Sequence, residues 1–171
     1  MANPLSRALI VTAELGSEDL AWLDALRRRH YPPERNRVPA HLTMFHALAP
    51  SAEQEIRGRL ADHSASSAPA ARIAGLMDLG GGVAFRVVSD DLDAIREQLA
   101  HDLHGLLGAQ DSGGWRPHVT IQNKVAPKVA RELLRSLERD FQPRLMRIAG
   151  LGLHRYLGGP WETLGVWKFR G

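Results

Sequence analysis

Two copies of one short motif constrain this chain more than any other feature of its sequence. The pattern His-x-Thr runs from His41 to Thr43 and again from His118 to Thr120, and each copy opens a short apolar run that is typical of a β-strand. Side chains alternate along a strand, so the histidine and threonine of each copy share one face, and the middle residue faces the core. Two such strands side by side would surround one small anion with two imidazoles and two hydroxyls. The motifs therefore predict a site for acid–base chemistry on phosphate.

The two motifs are 77 residues apart, and other patterns recur at the same spacing. The recurring pairs are the strand-like residues 8–11 and 85–88, the helix-like residues 17–30 and 94–107, and the amphipathic residues 51–60 and 128–137. Few residues are identical within a pair, so the similarity is one of pattern and order. We predict an internal duplication whose two halves each contribute one motif to a shared site.

Composition bounds the class of protein. A chain of 171 residues, 44% hydrophobic and 24% charged, fits one domain or two small lobes with a shared core. The absence of cysteine excludes disulfides, thiolate nucleophiles and cysteine zinc sites.

No apolar run approaches the ~20 residues that span a membrane, and residues 1–4 lack the start of a secretory signal, so we expect a cytoplasmic protein without membrane partners. The net charge of +3 permits a nucleic-acid partner without demanding one, and nothing indicates an obligate protein partner, so we expect a monomer.

Strands and helices alternate along most of the chain, which predicts the α+β class with helices packed outside the sheets. Strands are predicted at residues 7–13, 41–45, 71–79, 83–89, 118–121, 145–156 and 161–169, and helices at residues 17–29, 51–63, 90–107 and 127–141. Ser17 is predicted to cap the first helix. The proline-rich residues 31–39 and the glycine-containing residues 108–114 are predicted loops, and each leads into one of the motifs.

Histidine suits this chemistry because its ordinary pKa, about 6.5, lies near neutral pH. Cleavage of a phosphodiester needs a base that activates the nucleophile and an acid that protonates the leaving oxygen, and each role contributes ~10²–10⁴-fold. Threonine hydroxyls and backbone N–H groups can hold the non-bridging oxygens as negative charge develops. Two histidines can therefore act without a metal, and we predict neither a metal nor another cofactor. The rate should depend on pH in a bell-shaped manner.

The motifs and their flanks, residues 40–45 and 117–121, resemble the 2H phosphoesterase superfamily, and most closely its 2′-5′ RNA ligase-like (LigT-like) branch. Residues 156–161 are similar to the C-terminal hairpin of that family. The resemblance implies one bilobal domain over residues 1–171, with a duplicated α+β fold in which two antiparallel sheets form a central cleft and helices pack outside.

The resemblance also implies the catalytic residues, which would line the cleft between the lobes. They are His41, Thr43, His118 and Thr120. Family members cleave or form RNA phosphodiesters without a metal, commonly through a 2′,3′-cyclic phosphate. The resemblance implies His118 as the base and His41 as the acid, whereas the residues themselves do not assign the two roles.

Five further residues are predicted substrate contacts. Phe45 shares strand parity with the first motif and could stack on a base, although a core position fits the pattern equally well. Gln122 shares the parity of the second motif, near the place where many family members carry a basic residue. Trp115 and Arg116 precede the second motif, where a lid role and plain packing are both compatible with the sequence. Tyr156 ends a strand that the family places near the cleft.

The function that these features predict is hydrolysis of ribose 2′,3′-cyclic phosphates to 2′-phosphates, on RNA ends or on nucleosides. Reversible 2′-5′ ligation of RNA ends is the alternative reaction that the same site could perform. A non-catalytic RNA- or phosphate-binding protein is the alternative of another class, and it predicts binding without turnover.

Overall fold

The computed structural model describes residues 7–170 of the chain. Within them, the strands are β1 (Leu9–Leu15), β2 (Leu42–Leu48), β3 (Ala70–Asp78), β4 (Val83–Val88), β5 (His118–Gln122), β6 (Arg144–Tyr156) and β7 (Trp161–Lys168). The helices are α1 (Ser17–His30), α2 (Glu53–Ser64), α3 (Asp90–Asp102), the short α4 (Ala109–Ser112) and α5 (Pro127–Asp140). The prediction about a secretory signal concerns residues 1–4, which lie outside the described residues.

The strands form an antiparallel, seven-stranded sheet in the order β2-β1-β6-β3-β4-β5, with β7 paired to β6 outside this path. The long strand β6 is the link, because residues 144–147 pair with β3, whereas residues 148–155 pair with β1. Two four-stranded parts, β2-β1-β6-β7 and β6-β3-β4-β5, are thus joined through one shared strand. The predicted α+β class, with two antiparallel sheets and surrounding helices, is confirmed.

The two motif strands are brought together by curvature of the sheet. Strands β2 and β5 stand at the two ends of the sheet order, yet they are in contact with each other. A flat sheet would keep them far apart, since adjacent strands are spaced by about 4.8 Å. The sheet therefore curls until its two edges meet, and the cleft between its two parts is flanked by the two motifs.

The order β-α-β-α-β occurs twice, from β1 to β3 and from β4 to β6 with α4 inserted. The first residues of α1 and α3 are 73 positions apart, whereas the two motifs are 77 apart. The predicted single spacing is therefore wrong for the helices, because the segment before β5 is longer than the one before β2 and contains α4. The duplication itself stays a prediction.

Two predicted helix boundaries are also wrong. Ser17 is the first residue of α1, and Gly16 occupies the cap position without any side-chain hydrogen bond. Helix α3 ends at Asp102 rather than near residue 107. The chain turns away at Gly105, whose φ of 87° lies in the left-handed region that glycine adopts without strain.

Helices α1 and α3 each pack on strands of the opposite half of the chain. Helix α1 contacts β5, and its Trp22 ring lies 5.1 Å from the ring of Phe85 on β4. Helix α3 contacts β2 through Arg96, which donates a hydrogen bond to the carbonyl oxygen of Met44. The two halves consequently share one hydrophobic core. Of the helices in residues 7–170, none is long and apolar enough to cross a membrane.

Candidate active site

The two motif histidines occupy equivalent places at the start of their strands. His41 immediately precedes β2, and His118 is the first residue of β5. Thr43 pairs with Thr12 of β1, and Thr120 pairs with Ala84 of β4. Because side chains alternate along a strand, each threonine lies on the same face of the sheet as the histidine of its own motif. Both histidines and both threonines are partly exposed, in contrast to the buried middle residues of the motifs.

The two imidazoles are held in the same way. His41 Nδ1 lies 2.8 Å from the carbonyl oxygen of Pro39, and His118 Nδ1 lies 2.7 Å from the carbonyl oxygen of Arg116. A carbonyl oxygen only accepts hydrogen bonds, so in each neutral ring the proton is on Nδ1 and the lone pair is on Nε2. Each motif therefore presents an Nε2 atom that can accept a proton or, once protonated, donate one.

His41 differs from His118 in its surroundings. Its ring lies 4.6 Å from the ring of Trp161, and desolvation by burial lowers the pKa of His41 to about 4. The positive charges of Arg27, His154 and His118 lower this pKa further, whereas the hydrogen bond to Pro39 raises it. His118 is thus close enough to His41 to act on it electrostatically. His41 is neutral at pH 7.

A β-bulge follows each motif, and it corrects two predicted substrate contacts. Thr12 pairs with Thr43, but the next residue back along β1, Val11, pairs with Phe45, so β2 carries one extra residue between these pairs. The bulge reverses the alternation and turns Phe45 into the core, where it is 0% exposed. The prediction that Phe45 shares the face of His41 is therefore wrong, and Phe45 is not available to stack on a base.

The second motif is followed by the same irregularity. Ala84 pairs with Thr120, and Val83 pairs with Gln122, which again leaves one extra residue in the motif strand. Gln122 turns to the buried face and is 2% exposed, so its predicted place beside His118 is also wrong. Its Oε1 atom makes no hydrogen bond within the part of the chain that is described.

Buried arginines from the opposite halves bind the backbone at both bulges. Arg96 of α3 donates from Nε to the carbonyl oxygen of Met44 at 2.8 Å, and its guanidinium lies 4.0 Å from the centre of the Phe45 ring. Arg27 of α1 donates from Nη1 to the carbonyl oxygen of Thr120 at 3.0 Å. A bulge leaves backbone groups without ladder partners, and a buried carbonyl without a donor is costly. The two arginines satisfy these carbonyls and so stabilise the irregular strands.

The remaining predicted contacts have different places. Trp115 donates from Nε1 to the carbonyl oxygen of Thr43 at 3.1 Å, so it ties the segment before the second motif to the first motif strand. Arg116 has an exposed side chain, and its carbonyl oxygen orients His118. Tyr156 is half-buried and is the cross-strand partner of Trp161, which packs on His41. Their direct contact with substrate stays a prediction.

Sequence reasoning missed a polar cluster next to His41. His154 of β6 lies 2.9 Å from Thr12 Oγ1 through Nε2 and 3.0 Å from Thr163 Oγ1 through Nδ1. Thr12 also donates to Glu14 Oε1 at 3.2 Å. The polar residues at positions 12 and 14 interrupt an apolar strand with a period of two, and this signal was present in the sequence. Their partner His154 is more than a hundred residues away, so only the fold reveals the cluster.

Arg86 was also missed, because its relation to the site depends on strand register. It is the direct register partner of His118, so the two side chains stand on the same face of adjacent strands. The side chain is exposed, and its Nη2 atom lies 3.4 Å from the carbonyl oxygen of Ala74. A guanidinium at this place can contact a phosphate that approaches His118.

The arrangement is suited to proton transfer around an anion. Two imidazoles with available Nε2 atoms can supply a base and an acid, and the two threonine hydroxyls can bind phosphate oxygens. Among residues 7–170, no group of three or more His, Cys, Asp or Glu is placed to hold a metal ion.

Comparisons with known proteins identify the family and the fold of the chain. Residues 16–160 match the model of the 2′-5′ RNA ligase superfamily. Protein TT0787 of Thermus thermophilus is 19% identical, with a TM-score of 0.66 over 96% of this chain and 98% of that chain. The apo form of LigT from E. coli is 14% identical, with a TM-score of 0.59 over 96% of this chain and 98% of that chain. No curated protein matches the sequence significantly.

The family match covers most of the chain and includes both motifs, and the solved structures share the fold over nearly their whole length. The resemblance to the 2H phosphoesterase superfamily is thereby confirmed. The chain belongs to the 2′-5′ RNA ligase superfamily.

Proposed function

We propose that this protein is a metal-independent phosphoesterase that opens 2′,3′-cyclic phosphates at RNA ends or on nucleosides to 2′-phosphates. The observation that carries the proposal is the matched pair of histidines, each with Nδ1 bound to a backbone carbonyl and Nε2 available. One fixed imidazole could only abstract a proton. Two can both abstract a proton and donate one, and cleavage of a phosphodiester requires both steps.

The reaction is a displacement at phosphorus. A base removes a proton from water as the water oxygen bonds to phosphorus, and the bond between phosphorus and the ribose 3′-oxygen breaks. The acid delivers its proton to that 3′-oxygen, and the phosphate remains on the 2′-oxygen. Thr43 and Thr120 bind the non-bridging oxygens while their negative charge increases. Arg86, next to His118, adds a positive charge on the same face.

The surroundings of His41 favour one assignment of the two roles. Its pKa of about 4 makes the ring neutral at pH 7, which is the state that a general base requires. We therefore assign His41 as the base and His118 as the acid. This assignment is the reverse of the one that the family resemblance implies.

Nucleotide complexes of a relative support the substrate class. LigT of E. coli has been crystallised with 3′-AMP and, separately, with phosphate. These are complexes of a protein that is 16–17% identical to this chain, with the same fold. They support a nucleotide phosphate as the group that the cleft of this protein binds.

The test is hydrolysis of the four nucleoside 2′,3′-cyclic phosphates in excess EDTA. We expect turnover by the wild type and a loss of at least ~10²-fold in kcat for both His41→Ala and His118→Ala, because each removes a proton-transfer group. The exposed His104 provides the matched control, and His104→Ala should retain wild-type activity. Phosphorus NMR of the product should show a 2′-phosphate.

Three other results would contradict the proposal in different ways. Activity that EDTA abolishes would overturn the metal-independent reaction. Joining of RNA ends through 2′-5′ bonds in preference to hydrolysis would identify a ligase, the activity named in the family description. Tight binding of nucleotides or RNA without any turnover would identify a binding protein.

A further inference from the structure

A cavity of about 170 Å³ lies beside His41, on the side of the ring that carries Trp161. Its walls come from β1, from the loop that leads into the first motif, and from the hairpin of β6 and β7. The polar side chains in the wall that matter here are Glu14, Arg37 and His154. The catalytic site and the cavity thus share one residue, His41, so a ligand group in the cavity would adjoin the reacting phosphate.

The carboxylate of Glu14 is positioned by a directed chain of hydrogen bonds. Thr12 has a single hydroxyl proton and donates it to Glu14 Oε1, so its contact with His154 Nε2 requires an N–H on that nitrogen. His154 Nδ1 is in turn within hydrogen-bonding distance of the Thr163 hydroxyl, at 3.0 Å. The chain runs from Thr163 through His154 and Thr12 to the carboxylate, and it keeps Glu14 oriented as an acceptor.

The sheet leaves room for this cluster at one glycine. A Cβ atom at Gly152 would lie 2.0 Å from Glu14 Oε1, 2.7 Å from Thr12 Oγ1 and 2.9 Å from His154 Nε2. These distances are shorter than van der Waals contact, so any other residue at this position would displace the carboxylate. The backbone of β6 is therefore compatible with this orientation of Glu14 only because residue 152 is glycine.

The carboxylate retains capacity to accept further hydrogen bonds. Within residues 7–170, both polar contacts of Glu14, to Thr12 and His154, use Oε1, and the side chain is 31% exposed. A carboxylate offers about four lone-pair sites on its two oxygens. Two adjacent N–H donors of a ligand can therefore be bound at once, one on each oxygen.

The size and walls of the cavity favour one flat ring system. Its volume is below the ~300 Å³ at which sites for drug-sized ligands begin, so it suits a single heterocycle. The indole of Trp161 offers an aromatic surface, and Val38, Pro39 and Ala40 add apolar contacts. Base–aromatic stacking is sequence-tolerant, because every nucleobase has a π-face. The polar groups must therefore make the choice between bases.

Guanine complements these polar groups best. Its N1–H and N2–H groups are adjacent donors, which match the two oxygens of Glu14, and its O6 and N7 atoms are acceptors, which match the guanidinium of Arg37. Adenine and cytosine place a ring acceptor next to their amino group, and uracil has one N–H between two carbonyls. Each of these three bases would point a lone pair at the carboxylate, where guanine points a donor.

We propose that this cavity binds the nucleobase of the nucleotide whose phosphate reacts, and that Glu14 makes it selective for guanine. The inference rests on the proposed function in that the bound ligand is a nucleotide. It assigns Glu14 and Arg37 as specificity-determining residues and Trp161 as the stacking surface.

The test measures binding and turnover separately. Calorimetric titration with the four nucleoside 2′-monophosphates, which are products and cannot turn over, should show guanosine binding at least about tenfold more tightly than the other three. The value of kcat/KM for guanosine 2′,3′-cyclic phosphate should exceed the others by a similar factor. Trp161→Ala should weaken binding of all four nucleotides without changing their order, because stacking does not distinguish bases.

Glu14→Gln gives the decisive comparison, since it keeps the shape of the side chain and replaces one acceptor with a donor. An amide pairs with one donor and one adjacent acceptor, which all four bases offer, so the preference for guanosine should be lost. A merely structural role for Glu14 would weaken all nucleotides alike. The control is Glu138→Gln on the exposed surface of α5, which should keep the wild-type preference.

The results separate this inference from the proposed function. Guanosine preference in binding without any turnover would support the inference and overturn the phosphoesterase. Turnover without preference in the wild type would support the phosphoesterase and overturn the inference. Equal binding of the four nucleotides, no binding at all, or a guanosine preference that survives Glu14→Gln would each overturn it as well.

Discussion

His41 and His118 are two copies of one residue type with one backbone contact and different neighbours. Both donate from Nδ1 to a carbonyl two residues back, so both present the same nitrogen to the cleft. Trp161 covers one ring, and Arg86 accompanies the other as its strand partner. The symmetric motif thus supplies two equivalent groups, and in our proposal their surroundings give them different tasks.

The pH dependence of kcat/KM tests the lowered pKa of His41, because this quantity reports the pKa values of the free enzyme. A base must be unprotonated, so activity should be lost as the pH falls through the pKa of His41, at about 4. We expect kcat/KM to fall about tenfold per unit below pH 4, where His41 becomes protonated. Rate measurements from pH 3.5 to 9 check this.

The variant Trp161→Ala tests whether the loss of activity at low pH, the acid limb of the profile, reflects the pKa of His41. Removal of the indole exposes the imidazole to water and should move the limb from about 4 toward the ordinary value of about 6.5. The control His104→Ala should leave the limb in place. Exchange of the two roles would leave the same profile, because both assignments react through the singly protonated pair of histidines. An acid limb that Trp161→Ala leaves unmoved would contradict the lowered pKa of His41.

At the scale of elements, β2 and β5 owe their shape to contacts with the other half of the chain. Each carries a bulge directly after its threonine, and a buried arginine from the opposite half binds a carbonyl there. Helix α4 adds a second connection, because Arg96 Nη2 also donates to the carbonyl oxygen of Asp111 at 2.7 Å. The motif strands are thus supported by buried polar groups of the opposite half.

Asp111→Ala should destabilise the protein and loosen the first motif strand. Asp111 is 2% exposed and accepts from the backbone N–H groups of His46 and Ala47 at 2.8 and 2.9 Å. Two backbone donors would lose their partner, and each unsatisfied buried group costs about 1–3 kcal/mol. Urea unfolding should show a loss of about 2–4 kcal/mol. The exposed Asp62 is the control, and an equal loss for Asp62→Ala would contradict this role.

At the scale of the whole molecule, the two halves cannot be separated without exposing core residues of both. Strand β6 belongs to both parts of the sheet, and helices α1 and α3 pack on strands of the opposite half. One hydrophobic cluster includes residues of every strand except β7. The bilobal shape is therefore a property of one folding unit, which is our proposal for the domain organisation.

Unfolding should be a single cooperative transition. Tryptophan fluorescence reports on both halves, and far-UV circular dichroism reports on all helices, so the two denaturation curves should coincide. Two resolved transitions, or different midpoints for the two probes, would indicate lobes that unfold independently and would contradict the single domain.

Several features of this protein could be predicted from local pattern. Alternation along a strand was enough to place His41 with Thr43 and His118 with Thr120, because side-chain direction depends on neighbouring backbone angles. The order of strands and helices followed from apolar periodicity for the same reason. The twin motifs also indicated the family, which the match over residues 16–160 confirms.

The tertiary structure decided what depends on contacts between distant segments. Phe45 and Gln122 left the predicted face because a bulge is a mismatch between two paired strands, and neither strand carries it alone. The lowered pKa of His41 depends on burial by the folded chain, and the orientation of Glu14 depends on His154, which is far away in sequence. By itself the sequence determined which groups could perform the chemistry, since strand alternation is local. Only the packing of distant strands decided their protonation and the shape of the cavity beside them, because desolvation and register are properties of pairs of segments.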